Sequence, residues 1–261
     1  MREMEIHSLR ASLVNLTHVV ILKEKQSERY LPIWIGPAEA DAISIKLRNV
    51  DLVRPMTHDL LKNTINVLES LSGSAISKVI VNDLRSDTFY AQIVFEFGEG
   101  PAEIAVETNN GAAQYKDLEP GLNIRLVWHG TVVNCAISRK WKESKRHFIE
   151  ARSPGGWLFE LLLDDANKRW LLTRLKLDSR PSDAIALALR VDKPIFVEDS
   201  ILDKAGILLD EESSALLAQS KPAEGNLPQQ DRIDEQELKK LSAFYDFINT
   251  LDLEDFGKKK S

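Results

Sequence analysis

Cysteine and long apolar runs are nearly absent from this sequence. Its 261 residues include one cysteine, Cys135, which excludes an internal disulfide and a zinc site built from cysteines. The five histidines show neither HExxH nor HxH spacing. No segment approaches the roughly 20 apolar residues of a membrane-spanning helix, and the charged residues from Arg2 to Arg10 leave no room for the apolar centre of a signal peptide. We therefore predict a cytoplasmic protein in a reducing setting, with no membrane association.

Common catalytic signatures are missing as well. The chain contains no Walker loop, no GxGxxG or GxSxG motif and no Ser-His-Asp signature. Nucleotide hydrolysis of the P-loop type and acyl transfer are therefore disfavoured. What the chain does have is a hydrophobic fraction of 43%, enough for a core, and a length that allows one large domain or a medium-sized domain with additions.

Charge is distributed unevenly along the chain. The formal net charge is −6, which argues mildly against a surface that wraps nucleic acid. Residues 111–178, however, carry twelve basic and eight acidic side chains, a net charge of +4, which leaves −10 on the remainder. Attraction to a polyanion is therefore expected to be concentrated in the middle of the chain.

The two outer parts of the chain have the pattern of strands and buried helices. Apolar strands at the start lead to a buried helix with Pro37 at its first position. A second helix is predicted from Thr57, its expected N-cap, and alternating apolar residues then predict an antiparallel meander. Together these elements predict an α+β core, a β-sheet with packed helices, made of residues 1–107 and 178–209.

A different pattern occupies residues 108–177. Five short strands, separated by turns rich in Asn, Asp, Pro and Gly, predict an inserted antiparallel β subdomain, either a small barrel or a sandwich. Near the end of the chain, residues 210–232 have the Ser, Ala, Gln, Pro and Gly content of a flexible linker. Residues 233–256 repeat apolar side chains at helical spacing, which predicts a C-terminal amphipathic helix.

Two apolar helices share one sequence pattern. Residues 41–48 read DAISIKLR and residues 183–190 read DAIALALR, and a proline precedes each. One explanation is chance, because alanine and leucine are the best helix formers. The other is a pair of structurally equivalent helices on one sheet, with their first turns at a common edge. That arrangement would bring together four polar side chains: Glu39 and Asp41 with Ser182 and Asp183.

Polar side chains at the predicted helix starts are the candidates for chemistry. The dipole at a helix start favours neutral imidazole, the form that a general base requires, so His58 is a candidate base with Asp59 beside it. Arg180 suits phosphate binding, and Asp183 suits a hard cation. Each also has a structural explanation, because such side chains cap the exposed amides of a helix. The strand-end pair Asp83–Arg85 likewise suits either a phosphate contact or a surface ion pair.

The segment from 138 to 148 alternates cations with two aromatic side chains. Such a composition suits phosphate contacts and stacking on nucleobases, and the candidate substrate-binding residues are Arg139, Lys140, Trp141, Lys142, Lys145 and Arg146. The alternative is a solvated hairpin in which Trp141 and Phe148 turn into the barrel. The residue types alone leave both interpretations open.

Four segments, in this order, resemble the bifunctional nuclease family: LPIWIGPAEADAI, RPMTHDLLKN, VNDLRSDTFYAQIVF and DSRPSDAIALALRVDKPIFVEDSILDKAGI. That family is a bacterial and plant domain described as acting on both DNA and RNA. The resemblance implies a compact, commonly oligomeric domain with polar positions near one edge. Those positions correspond here to Glu39, His58, Asp59, Asp83, Arg85, Arg180, Ser182 and Asp183. The residues between 107 and 178 depart from the family pattern, in which a strand runs almost directly into the RPSDA turn.

The leading hypothesis from the sequence is a phosphodiesterase of low sequence specificity acting on DNA or RNA, in a homo-oligomeric protein. Its ligands for Mg²⁺ or Mn²⁺ would be Glu39, Asp59 and Asp183. His58 would orient or deprotonate water, Arg85 and Arg180 would neutralise phosphate charge, and Ser182 would contact the substrate. The basic insertion would add affinity. The alternatives are a non-catalytic nucleic-acid-binding or regulatory module, and an interaction protein whose insertion binds a protein partner.

Overall fold

The computed structural model describes residues 1–11, 18–97, 102–109 and 111–208, with only the backbone described for residues 70–72. The linker predicted at 210–232 and the helix predicted at 233–256 lie outside the described residues. Within the described ranges, no helix has both the length and the apolar character needed to cross a membrane.

Four α-helices and fourteen strands make up the described part of the chain. The first elements are β1 (Arg2–Ala11), β2 (His18–Glu24), β3 (Arg29–Ile35), α1 (Pro37–Leu47), α2 (Thr57–Ser72), β4 (Ser74–Arg85), β5 (Thr88–Phe97) and β6 (Ala102–Thr108). They are followed by β7 (Gly111–Ala112), β8 (Asn123–Trp128), β9 (Thr131–Glu143), β10 (Arg146–Arg152), β11 (Leu158–Asp164) and β12 (Arg169–Ser179). The last are α3 (Pro181–Val191), β13 (Ile195–Val197), α4 (Asp199–Ala205) and β14 (Ile207–Leu208).

All of these strands belong to one continuous sheet. Its order is β14-β3-β2-β1-β13-β4-β5-β12-β11-β10-β9-β8-β6-β7, and among the described pairs only β13 and β4 run parallel. Helix α3 is the most central helix, because the residues from Ala184 to Ala188 are fully buried among α1, α2 and strands β4 and β5. Its small alanine side chains allow these layers to approach closely, which explains the apolar DAIALALR pattern.

The predicted β-rich region forms a closed antiparallel barrel of six strands. Strand β6 and strands β8 to β12 follow one another around it, and β12 pairs with β6 at Trp170 and Ile104 to close it. Leu126, Ile149 and Leu161 are fully buried in its interior. Of the two predicted architectures, the structure has the barrel. Its sixth strand, β6, comes from the segment that the sequence pattern placed in the core.

Strand β12 connects the barrel directly to the core sheet. Its first part pairs with β6 and β11, whereas Arg174 to Ser179 pair with β5. Helix α3 begins at Pro181, immediately after this strand. The barrel is therefore attached at the start of α3 without an intervening linker.

Helices α1 and α3, which share the repeated sequence pattern, lie side by side. Each has a proline at its start, and a 2.8 Å salt bridge joins Arg180, the N-cap of α3, to Glu39 in the first turn of α1. The structure therefore favours paired helices over chance similarity. Asp41 is exposed on α1, and Glu39 is the residue of this helix that forms the salt bridge to Arg180.

Candidate functional site at the helix starts

The first turns of α1, α2 and α3 meet at one large cleft. The cleft has a volume of about 1140 Å³ and extends along α2 from Thr57 to Glu69. Helix α2 forms a wall, strands β5 and β12 form the floor, and the starts of α1 and α3 form one end. The predicted site residues that line this end are Glu39, His58, Arg180 and Asp183. Side chains from three separate parts of the sequence are thus brought together.

A chain of polar contacts connects these four side chains. His58 Nε2 lies 3.4 Å from Asp183 Oδ1. Arg180 donates to Asp183 through Nε at 2.7 Å and through Nη2 at 3.1 Å, and the same Nη2 lies 2.8 Å from Glu39 Oε1. Arg180 therefore lies between two carboxylates, and Asp183 lies between a guanidinium and an imidazole.

Arg180 is the exposed cation of this cluster. Its side chain is 67% exposed, whereas those of Glu39 and His58 are 17% and 14% exposed. The neighbouring Asp183 carboxylate, and to a smaller extent Glu39, raise the pKa of Arg180, which therefore stays charged. An anion approaching from solvent meets this guanidinium before it meets the carboxylates behind it.

Gly36 makes room for the Glu39 carboxylate. Its backbone is extended, with φ −74° and ψ 160°, so the conformation itself does not require glycine. A Cβ at this position would instead collide with the Oε2 of Glu39. The glycine therefore allows the Glu39 side chain to turn back toward the start of α1, where it contacts Arg180.

Asp59 has contacts that differ from those predicted. Its Oδ1 accepts a 2.7 Å hydrogen bond from Arg190, whose side chain is only 2% exposed. Its Oδ2 accepts the N–H of Met56 at 2.9 Å, and Met56, not Thr57 as predicted, is the N-cap of α2. Burial would raise the pKa of Asp59, but these two hydrogen bonds outweigh it and lower the pKa. Asp59 therefore faces Arg190 and does not line the cleft.

Arg190 is a structurally important residue that the sequence analysis missed. It ends the DAIALALR pattern on α3, and it donates hydrogen bonds to the carbonyl oxygens of Ala186 at 2.9 Å and Ala42 at 3.2 Å, as well as to Asp59. One side chain thus joins α1, α2 and α3. The signal was an arginine at the end of an otherwise apolar helix, because a buried charge needs a partner.

The three carboxylates predicted to bind a metal ion are engaged by arginines. Glu39 and Asp183 share Arg180, whereas Asp59 pairs with Arg190. Among the residues that the structure describes, no group of three or more His, Cys, Asp or Glu side chains has the arrangement of a metal site. The predicted set of Glu39, Asp59 and Asp183 therefore does not fit a divalent cation in this arrangement.

Two hairpin turns of the barrel also reach the cleft. The β8–β9 turn has positive φ at His129 (46°) and Gly130 (78°), and it contributes Trp128 and His129 to the lining. The turn between β10 and β11 contributes Trp157. None of these three residues was among the predicted site residues. The sequence did contain one signal for the β8–β9 turn. The dipeptide His129-Gly130 stands between two apolar runs, and two-residue hairpin turns need residues that accept positive φ.

The sequence of the cleft-forming region matches a known family model. A model described as the bifunctional nuclease domain matches residues 20–111 and 144–210, more than half of the chain. The chain belongs to the bifunctional nuclease family. Two relatives are the uncharacterized protein MT1877 of Mycobacterium tuberculosis strain CDC 1551 / Oshkosh and the uncharacterized protein Rv1829 of strain H37Rv. Each is 26% identical over 213 residues, which is 82% of this chain and 81% of the relative.

The bifunctional nuclease match covers all three helices that form the cleft. It also includes Trp157, whereas residues 112–143, which contain Trp128 and His129, fall outside it. The unmatched stretch is shorter than residues 108–177, the segment predicted to be inserted. Family membership points to a nuclease-like or nucleic-acid-binding role, for which the cleft is the candidate site. The unmatched part of the barrel adds two side chains, Trp128 and His129, to the lining of this cleft.

In this bifunctional nuclease domain, the basic segment of the barrel does not line the cleft. It lines a separate groove, called the outer groove, of about 560 Å³, which includes Arg139, Trp141, Arg146 and Phe148. The outer groove also contains Glu96 and Arg174, which are paired across β5 and β12. The next pair, Phe95 and Leu175, lines the cleft. Because successive side chains of a strand point to opposite faces, the outer groove and the cleft lie on opposite faces of the sheet.

Two aromatic side chains of the outer groove, Trp141 and Phe148, are not part of the barrel core. Trp141 and Phe148 stack with ring centroids 5.3 Å apart and an interplanar angle of 8°, and the Arg139 guanidinium lies 4.2 Å from the centroid of Trp141. The alternative that both rings turn into the barrel is wrong, because their neighbour Ile149 fills the interior. Lys140 lies 2.8 Å from Glu119. The exposed cations of this segment are Arg139, Lys142, Lys145 and Arg146.

The remaining predicted residues lie away from the cleft lining. Arg85 pairs with Asp83 at 2.5 Å and lies 5.0 Å from the ring of Tyr90. It ends β4, whereas Ser74, the first residue of this twelve-residue strand, lines the cleft. Neither Asp83 nor Arg85 is among the residues that line the cleft. Ser182 is buried within α3.

Proposed function

We propose that this protein is a phosphodiesterase of low sequence specificity that acts on DNA or RNA at the cleft between the helix starts. The observation that carries the proposal is the convergence of three helix N-termini on the contacts among His58, Asp183 and Arg180. Membership of the bifunctional nuclease family supports the substrate class.

The helix starts favour a phosphate group. The first N–H groups of a helix have no partner within it, and the helix dipole places partial positive charge there. Pro37 and Pro181 each remove one donor, but the residues that follow them retain theirs. Arg180 would exchange a carboxylate oxygen for a phosphate oxygen, both of which accept charge-assisted hydrogen bonds. Contacts of this kind bind the nucleic-acid backbone, so low sequence specificity follows.

His58 is the side chain suited to move a proton. A neutral imidazole that donates its Nε2–H to Asp183, 3.4 Å away, leaves Nδ1 as the proton acceptor. Nδ1 would take the proton from the attacking water or hydroxyl group, whose oxygen bonds to phosphorus while the P–O bond to the leaving sugar oxygen breaks. The leaving oxygen would then take a proton from the imidazolium or from water. Arg180 would stabilise the charge that develops on the phosphate oxygens. Since the carboxylates are engaged by arginines, these steps are assigned to the chain's own side chains.

Cleavage of end-labelled DNA and RNA, in single- and double-stranded form, tests the proposal with the full-length chain. His58→Gln is expected to lower kcat by about 10²- to 10⁴-fold, the usual contribution of a general base. The matched control is His147→Gln, because His147 Nδ1 lies 3.0 Å from Asp165 in a second His–Asp pair on the barrel. This control should keep the wild-type kcat. Unchanged cleavage by His58→Gln protein would refute the assignment.

Metal dependence is measured in the same assay. If the arginine contacts of Glu39, Asp59 and Asp183 persist in solution, EDTA should leave the rate unchanged. A rate that EDTA abolishes, that Mg²⁺ or Mn²⁺ restores and that Asp183→Asn removes would instead support the metal-assisted mechanism predicted from the sequence.

A non-catalytic nucleic-acid-binding or regulatory module is the second candidate. The observation that favours it is the charge of the cleft: Arg180 is the only arginine or lysine among its described lining residues, against four carboxylates, Glu39, Glu69, Asp178 and Asp183. This candidate predicts polynucleotide binding at low salt without cleavage under any of the assay conditions. Absence of binding even at low salt would contradict both candidates.

A further inference from the structure

The cleft continues beyond the helix starts as an apolar space. Most of the side chains along its length are aliphatic or aromatic, among them Leu61, Ile65 and Leu68 from α2 and Ile93 and Phe95 from β5. The proton transfer and phosphate contacts assigned to the helix starts do not use this space. Its apolar lining and its connection to the polar end are those of a site that holds the body of a ligand whose anionic group is bound at the other end.

Trp157 is the aromatic side chain best placed to contact such a ligand. It is 45% exposed although it lines a concave cleft. A closed turn fixes its backbone, since Ser153 donates its N–H to the carbonyl oxygen of Trp157 at 2.9 Å and accepts the Trp157 N–H on Oγ at 3.1 Å. The indole is therefore presented to the cleft by a backbone that is already ordered, which reduces the entropy cost of stacking a ligand on it.

The indole also lies near the phosphate-binding end. A Cβ placed on Gly156, the residue before Trp157, would lie 3.5 Å from the Cβ of Asp178. Asp178 precedes Arg180 by two residues, which corresponds to about 7 Å of extended strand. Trp157 and Arg180 thus line neighbouring parts of one cleft.

We propose that the apolar part of the cleft is a pocket for one unpaired nucleobase, which stacks on Trp157 while the adjoining phosphate contacts Arg180. This proposal rests on the function proposed above for its substrate class. Stacking on an aromatic side chain tolerates any base, because every base has a π face, and so agrees with low sequence specificity. A base inside a duplex must leave its stack to enter the pocket. The ligand class is therefore a nucleotide whose base is free.

Isothermal titration calorimetry of the full-length chain tests the pocket directly. The two probes are adenosine 5′-monophosphate and ribose 5-phosphate, which has the same sugar and phosphate without the base. The nucleotide should bind more tightly. Trp157→Leu keeps the position apolar but removes the stacking surface, and it should lower the nucleotide's affinity about 5- to 140-fold while leaving that of ribose 5-phosphate unchanged.

Two further variants keep this result interpretable. Trp141→Leu removes a tryptophan of the outer groove and should keep the wild-type affinity for the nucleotide. Trp157→Phe retains an aromatic face and should recover most of the affinity that Trp157→Leu loses, which separates lost stacking from misfolding. Equal melting midpoints of the Trp157→Leu and wild-type proteins are expected, since the side chain is half-exposed.

Three results would overturn the pocket. They are a nucleotide affinity no higher than that of ribose 5-phosphate, wild-type nucleotide affinity in Trp157→Leu protein, and a loss in Trp141→Leu in place of Trp157→Leu. The cleavage assay tests the proposed function, and it is independent of the nucleotide-binding measurement that tests the pocket. Nucleotide binding that depends on Trp157 supports the pocket even if no polynucleotide is cleaved, whereas unchanged cleavage by His58→Gln protein refutes only the catalytic assignment.

Discussion

Replacing Asp59 with asparagine removes one charge and leaves the shape of the side chain almost unchanged. In the native protein this carboxylate accepts one hydrogen bond from buried Arg190 at 2.7 Å and another from the N–H of Met56 at 2.9 Å. The asparagine oxygen can still cap Met56, because a neutral carbonyl accepts the same N–H. The contact with Arg190, however, loses its negative partner.

The size of the effect follows from the surroundings of Arg190. A hydrogen bond to a charged group contributes about 1.5–3 kcal/mol, and removing one partner of a fully buried ion pair costs about 3–5 kcal/mol. Arg190 keeps its hydrogen bonds to the carbonyl oxygens of Ala186 and Ala42, and the Asp59 side chain is 34% exposed, so water replaces part of the lost contact. We therefore expect Asp59→Asn to lower the free energy of unfolding by about 2 kcal/mol.

Urea denaturation followed by circular dichroism measures this difference. Asp203→Asn is the matched control, because Asp203 contacts Arg29 at 3.3 Å on the exposed surface and should contribute less than about 0.5 kcal/mol. A metal ligand or catalytic acid at position 59 would give the opposite pattern, with lost cleavage and unchanged stability. If Asp59→Asn protein is as stable as the Asp203→Asn control and no longer cleaves, the structural role of the Arg190 contact is refuted.

Four other predictions test the remaining contacts. The pKa of Asp59 is lowered in the fold, so its stabilising effect is present above its ordinary pKa of about 3.9 and is lost as the pH falls through its lowered value in the folded protein; urea midpoints of wild-type and Asp59→Asn proteins should therefore converge in acid. Gly36→Ala should displace the Glu39 carboxylate from its guanidinium partner, which leaves the melting midpoint unchanged and raises polynucleotide affinity at low salt; an unchanged affinity would contradict this contact. Burial raises the pKa of the Cys135 thiol to about 11, so Ellman's reagent should label it only in denaturant, and rapid labelling of the native protein would contradict its place in the barrel core. Arg146→Ala should reduce the slope of log affinity against log salt by about 0.7–0.9 without changing kcat, and a fall in kcat would place the outer groove in the reaction.

The helix starts were predictable because their signals are local. Proline at the first position marks the beginnings of α1 and α3, and the repeated DAI pattern anticipated that these helices are neighbours. The resemblance of four segments to the bifunctional nuclease family is confirmed by the family match. The resemblance placed eight polar positions near one edge, and four of them, Glu39, His58, Arg180 and Asp183, line the cleft.

Contacts between distant parts of the chain were not predictable in the same way. Arg190 and Asp59 are 131 positions apart, and nothing near either residue specifies the other, so Asp59 was assigned to a metal site. The direction of Trp141 depends on strand register, because a shift of one residue turns every side chain of a strand to the other face. The pairing of β9 with β10 contains such a register shift next to Glu150, which alternation alone does not reveal.

Strand β12 makes deletion of the barrel a poor test of what the barrel does. Residues 174–179 of this strand pair with β5, and its residues Leu175 and Leu177 form part of the cleft floor. A deletion of residues 110–176 would therefore remove part of that floor and expose the edge of β5. It would also remove most of β12, the strand that leads into α3. Lost binding or cleavage in such a protein would report damage to the cleft as readily as loss of the basic surface. Substitutions in the outer groove, such as Arg146→Ala, change charge on the opposite face and leave β12 in place, so only they separate electrostatic affinity from the chemistry at the helix starts.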